Sequence, residues 1–368
     1  MIKINEKDTK WLEEFYTKVE QKLERSAVNL KKIIPHMTEN GKYYDQAQKD
    51  VTWWTNGFFG GIMWLLYEHT KKDDYKIAAK RQVEILDGAL ACYDGLHHDV
   101  GFMFELTAKA DYLLTGDPKS RVRAIYAANT LMSRTNIRGQ YIKAWDHADY
   151  TIIDSLLNIP ILYWASREFK DDRYKYVGIM QADSLMKHHV REDGSVVHIA
   201  LHNTQEDKVI ETLAGQGYAV GSAWSRGQAW AVYGFILSYI HTNEQRFLDT
   251  AIKVADYFIK ETEKNNYKVR TDFCQPDNVD YIDNSAAVCA TCGIIEIYKV
   301  TKEKKYLDAA IKILQALEED CDFSEENDSI LQKGMIAYSL GEQVDLIYSD
   351  FFLCEALLKL RGSEFLIW

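Results

Sequence analysis

The chain is poor in proline, with four in 368 residues, so helices can run without the residue that breaks them. It also lacks a long apolar run. Its most apolar stretch, GFFGGIMWLLY, falls well short of the roughly 20 residues of a membrane span, and no membrane partner is expected. There is no basic block, and the formal net charge is −11. A groove that tracks nucleic-acid phosphates is therefore excluded. The six cysteines, Cys92, Cys274, Cys289, Cys292, Cys321 and Cys354, are scattered. Cys289 and Cys292 form a lone C-x-x-C in an apolar run, which reads better as two small core residues than as a redox or zinc pair. The N-terminal stretch MIKINEKDTKWLEEFY has no apolar leader core. With reduced thiols as the default, a cytoplasmic protein is expected. Phosphate-binding glycine loops and the G-x-S-x-G elbow are missing too.

What the chain has is aromatics and helical periodicity. Nine Trp and 23 Tyr supply core, and near polar loops they also make stacking floors for sugars. A phrase recurs: a short polar turn, an aromatic or Arg, then an amphipathic helix. It is seen in TKKDDYKIAAKRQVEIL, TGDPKSRVRAIYAANTLM, FKDDRYKYVGIMQADSLM, TNEQRFLDTAIKVADYFI and TKEKKYLDAAIKILQAL. The segments before them, such as SRGQAWAVYGFILSYIH and NSAAVCATCGIIEIYKV, are apolar all round and rich in small residues, as buried helices are. With a first helix over 9–34 and a last over 350–360, the count is about twelve. Segments 193–203 and 265–273 alternate like short strands.

Helix pairs repeating at roughly 45 to 75 residues imply an array. The uniformly apolar inner set favours closure into a ring over an open solenoid. The expected fold is thus an all-α (α/α)6 barrel, a single domain over 1–368, with short β-hairpin loops at its mouth. Insertions precede the inner helices, so they gather at one end and wall a pocket there.

The starts of the inner helices carry the chemistry-bearing residues. Asp154, in TIIDSLLNI, sits among apolar residues. Burying a lone carboxylate raises its pKa, which suits a general acid; a buried Asp that caps a neighbouring backbone is the plain alternative. Asp99 holds the equivalent place one inner helix earlier, where stabilisation by a helix N-terminus is the ordinary explanation. WSRGQAW brings together Trp224, Arg226, Gln228 and Trp230. Arg226 offers a fork for a carboxylate or, alternatively, a structural ion pair. His198 and Gln216 are weak signals by themselves.

HHDVGF, residues 97–102, looks at first like a metal site. Successive residues at a helix start diverge by roughly 100°, which argues against three neighbours meeting on one ion. Neither a metal nor any other cofactor is expected.

WTNGFFGGIMW, HHDVGF, TIIDSLLNIPILYWA, WSRGQAWAVYGF and DNSAAVCATCGIIEI, taken in order, resemble the blocks of the unsaturated glucuronyl hydrolases, glycoside hydrolase family 88. The resemblance runs from about residue 50 to 360. It implies an (α/α)6 barrel whose substrate is an oligosaccharide carrying a C4=C5 unsaturated uronate at its non-reducing end. It also implies hydration of that vinyl ether, so the carboxylate spacing of ordinary glycosidases does not apply. By motif, Asp154 would be the general acid and base and Asp99 the second essential carboxylate. Arg226, His198, Gln216, Trp54, Trp145 and Trp230 would contact the sugar, with Trp224 in the same block and His98 beside it. His97 is read as structural. The chain departs from the pattern at Asn56, Phe59 and Gly215, where Asp, Trp and His are expected; these are read as lying at the mouth. The loop KGMIAYSLGEQVD offers Glu342 and Asp345, which would disfavour sulfate. Three alternatives remain. One is an unsaturated rhamnogalacturonyl hydrolase acting on pectin fragments. Another is an epimerase of the same barrel, using His98 and His198. The third is a helical-repeat scaffold, which would leave Asp154 with no reason to be buried.

Overall fold

The computed structural model describes residues 2, 4–92 and 94–368. Among them, six outer helices alternate with six inner ones along the chain. The outer set is Glu6–Asn29, Asp73–Ile85, Pro118–Ser133, Asp172–His189, Gln245–Glu263 and Lys304–Glu318. The inner set is Phe58–Thr70, 100–115, 153–169, Ser225–Thr242, Asn284–Thr301 and Ile347–Leu360. The last inner helix packs on the first inner helix and on Glu6–Asn29. The ring is closed, and the fold is an (α/α)6 barrel.

One local rule builds five of the six hairpins. In these five the inner helix ends on a left-handed residue: Lys71, Gly116, Lys170, Asn243 and Lys302. One more residue follows before the outer helix begins. The reversal is therefore made by a single backbone conformation that costs a non-glycine residue about 1 kcal/mol, an amount that helix packing easily offsets. Asp117 and Asp171 then cap the outer helices by accepting the backbone N–H of Lys119 and Arg173.

The opposite connections are long, and they hold every strand pair found. Hairpins Thr38–Glu39 with Lys42–Tyr43, Thr135–Asn136 with Tyr141–Ile142, and Gly334–Met335 with Gln343–Val344 are two-stranded. Tyr150–Ile152, Ile199–His202 and Val209–Leu213 form an antiparallel sheet in that order. All precede inner helices and collect at one end of the ring. Segment 265–273 is not a strand; it makes single bridges through Arg270 to Ile282 and through Asp272 to Trp224.

The barrel axis is filled by aromatics. Phe58, Phe102, Trp230, Tyr348 and Phe352 pack with ring centroids 5.5 to 6.5 Å apart. Trp368 closes the column at the far end, lying parallel to Phe352 and donating its indole N–H to Glu355 (3.1 Å). Each such buried side chain contributes about 1.5–3 kcal/mol.

Candidate active site

A cavity of about 210 Å³ opens at the loop end of the barrel. Its walls include Trp53, Trp54, His97, His98, Asp99, Trp145, Ile152, Asp154, Gln216, Arg226 and Trp230. Drug-sized pockets run to roughly 300–1,000 Å³, so this one suits a single sugar ring.

Asp154 is not in an α-helix, contrary to the sequence reading. The chain runs as a strand over Tyr150–Ile152, held by Ile199–Leu201, and then turns into a 3₁₀ segment, Ile153–Leu157. Pro160 starts the α-helix only after that. The 3₁₀ turn presents Asp154 to the cavity with 18 % of its side chain exposed. Its Oδ1 has no hydrogen-bond partner. Burial, and then the charge of Asp99, push its pKa well above the usual carboxylate range, although Arg226 opposes the shift.

Asp99 sits just before Val100 but does not cap that helix. The carboxylate faces the cavity instead. Asn158 donates its amide N–H to Asp99 Oδ1 (3.2 Å) and to the Asp154 backbone carbonyl (3.4 Å). The same Asn158 accepts the Phe102 N–H (2.8 Å). One buried side chain thereby ties together the starts of two inner helices. Burial raises the Asp99 pKa, while His97 and the Asn158 hydrogen bond oppose the rise. His98 is fully buried, and burial pushes its pKa well below the ordinary imidazole value. It is neutral, with Nδ1 3.3 Å from Ser155 Oγ.

Arg226 is both anchor and brace. Nη1 donates to Asp283 Oδ2 (2.8 Å), Ser285 Oγ (3.2 Å) and the Met335 carbonyl, and Nη2 donates to the Ile336 carbonyl (2.8 Å). Asp283 is held in turn by capping the helix Asn284–Thr301. Of the five guanidinium N–H donors, Nε–H and one Nη2–H are left for a ligand. The guanidinium also lies over Trp224, 4.6 Å from the ring centroid. Gln216 donates its side-chain amide to the Ile336 carbonyl (2.5 Å), so the loop after Lys333 forms one wall.

The family description "Glycosyl Hydrolase Family 88" matches residues 27–239. The unsaturated glucuronyl hydrolase of Bacillus sp. (strain GL1) is 32% identical over 365 residues, covering 93% of this chain and 96% of that one. The unsaturated chondroitin disaccharide hydrolase of Streptococcus pyogenes serotype M1 is 32% identical over 337 residues, covering 88% and 84%. The crystal structure of the Bacillus sp. GL1 enzyme, described as responsible for glycosaminoglycan degradation, superposes with a TM-score of 0.88 at 31% identity, covering 94% and 97%. The chain belongs to glycoside hydrolase family 88.

Within this family-88 chain, two of the expected contact residues lie behind the cavity wall. His198 Nδ1 accepts the Gln216 backbone N–H (3.0 Å), and its ring packs on Trp224, 4.2 Å between centroids. Burial pushes the His198 pKa down to about 3. His198 and Trp224 back Gln216 and Arg226, and neither lines the cavity. Trp54, Trp145, Trp230 and His98 do line it, as do Trp53 and His97. His97, read as structural from the sequence, lines the cavity, and residues 97–99 were expected at the start of a helix. The helix begins at Val100, so the divergence argument does not apply to the turn before it. Trp53 is 38 % exposed; its place before the WTNGFF block was the one available signal.

Two of the three departures, Asn56 and Phe59, are buried and not at the mouth, whereas Gly215 is exposed beside cavity-lining Gln216. Asn56 is fully buried and donates to the carbonyls of Asp50 (3.1 Å) and Val51 (2.9 Å), and Phe59 is core. Gly215 has φ +58°, and a Cβ there would lie 2.2 Å from His198 Nδ1. A side chain at 215 is incompatible with His198 where it stands. In the C-terminal loop Asp345 accepts from Asn327 (2.9 Å) and is committed to the fold, whereas Glu342 is exposed.

Proposed function

We propose that this chain releases the unsaturated (Δ4,5) uronic acid from the non-reducing end of lyase-generated oligosaccharides, glycosaminoglycan-type disaccharides among them. The observation that carries this is the Asp154–Asp99 pair: a carboxyl kept protonated by burial and by a neighbouring carboxylate, facing a cavity with aromatic walls and a guanidinium edge. The residue roles are assigned on that chemistry. The free N–H groups of Arg226 take the uronate carboxylate, and Trp54, Trp145 and Trp230 flank the ring.

Asp154 donates its proton to C4. The electron pair of the double bond forms the new C–H bond, and the positive charge left at C5 is shared by the ring oxygen. Water adds at C5 and returns a proton to the Asp154 carboxylate. The resulting hemiketal opens to a C5 ketone, and the hemiacetal at C1 expels the partner sugar. One water is consumed. Asp99 stays ionised and keeps the Asp154 proton in place. An epimerase reading loses its second histidine, because His198 is behind the wall and already accepts a backbone N–H.

Incubating the protein with a lyase-generated unsaturated disaccharide and following the alkene's ultraviolet absorbance tests the reading. Hydration abolishes the signal. Product formation with the absorbance retained would refute it.

A further inference from the structure

The turn His97-His98-Asp99 has a property that hydration of an alkene does not call for. His97 Nδ1 lies 3.3 Å and His98 Nε2 lies 3.5 Å from the same oxygen, Asp99 Oδ2. Both nitrogens are buried and neither has a hydrogen-bond partner. The three atoms all lie within 4.8 Å of one another. Two imidazole nitrogens with no partner converge on one carboxylate oxygen at the cavity wall.

Tetrahedral zinc, with bonds of about 2.0–2.2 Å, sets its ligand atoms about 3.3 Å apart. Both histidine–carboxylate spacings match that edge. His97 keeps 28 % of its side chain exposed, which leaves its ring room to turn onto a shared ion. Asp154 is on the other side of His98, with Oδ1 3.8 Å from Nδ1, so it does not compete for Nε2, and all three ligand residues line the cavity. Two nitrogens and one carboxylate suit borderline cations such as zinc or cobalt. Calcium and magnesium need an oxygen shell that is not present here.

We infer that His97, His98 and Asp99 form an inhibitory site for a borderline divalent cation, which on binding ties up Asp99 and closes the cavity to sugar. The binding itself is independent of the proposed activity; the inhibition rests on it.

Cobalt(II) titrated into chelator-stripped protein, followed by its visible d–d absorption, tests the site. One ion per chain is expected. Since loss of an outer-shell partner of a metal site costs about 10–100-fold, His97→Ala and His98→Ala should each weaken binding by at least about tenfold. A Cys92→Ser, Cys274→Ser double variant, which removes the exposed thiols, should bind as the parent does. His97 is partly exposed, so His97→Ala carries the result if His98→Ala folds poorly by circular dichroism. Undiminished binding in His97→Ala, or no binding at about 1 mM cobalt, overturns the site. Unsaturated disaccharide added to cobalt-loaded Asp154→Asn protein should displace the ion. If the bands persist, the inhibition is overturned while the metal site stands.

Discussion

Asp99 and Asp154 are bridged by one imidazole: His98 sets Nε2 3.5 Å from Asp99 Oδ2 and Nδ1 3.8 Å from Asp154 Oδ1. Two carboxyls on neighbouring inner-helix starts are thereby held at a fixed relation around a neutral ring. The pair can hold unequal protons because Asn158 and His97 favour the charged form at Asp99 alone.

Asp154→Asn should lower kcat by about 10²–10⁴-fold, the range for a general acid–base group. Its Tm should match or exceed the parent's at neutral pH. The native carboxyl has a raised pKa, so the stability it contributes is complete below the unfolded carboxyl range. That stability is lost as pH rises through the unfolded value towards the folded one. The amide has no such term. A large fall in Tm would show that Asp154 is structural.

Asp99→Asn should move the basic limb of the kcat/KM profile to lower pH, because the Asp99 charge raises the Asp154 pKa. Residual rates measured across pH give the answer. A limb displaced to higher pH would contradict the assigned roles.

Gly215→Ala should weaken substrate binding and stability together. The added Cβ must push the His198 ring away at Nδ1, and the Gln216 N–H then loses its acceptor. Overpacking of this kind costs about 1–3 kcal/mol. Thermal melts should show a lower Tm and steady-state kinetics a higher KM, with a smaller change in kcat. An unaltered Tm would mean that His198 is free to move.

Unsulfated chondroitin disaccharide should give a higher kcat/KM than its sulfated counterpart. Arg226 is the one Lys or Arg among the described cavity-lining residues, and most of its donors are committed. Glu342 is exposed on the neighbouring loop. Comparing the two substrates under identical salt checks this, and a reversed ratio would refute it.

The ring was legible because each hairpin is written locally: an apolar helix, a polar turn, an amphipathic helix. Five left-handed residues at matched positions repeat that rule. The site was legible only as residue types. Tyr150–Ile152 became a strand through its pairing with Ile199–Leu201, about fifty positions away, and no local periodicity reports such a partner. Helix 9–34 begins earlier, at Glu6, because Asn5 caps it, and it ends earlier, at Asn29. His198 and Trp224 were read as ligand contacts and stand one layer back. Their polar and aromatic character suits a wall as well as its support, and only the loops' packing decides between the two. His97 went the other way, since a turn directs neighbouring side chains together where a helix would spread them.

Trp368 blocks the barrel at the end away from the loops. The cavity is consequently a blind shaft. A chain cannot thread through it, so only a terminus can be read, and the severed sugar must back out by the door through which the substrate came. Each encounter then yields one cut, and the freed product competes for entry with the next chain end.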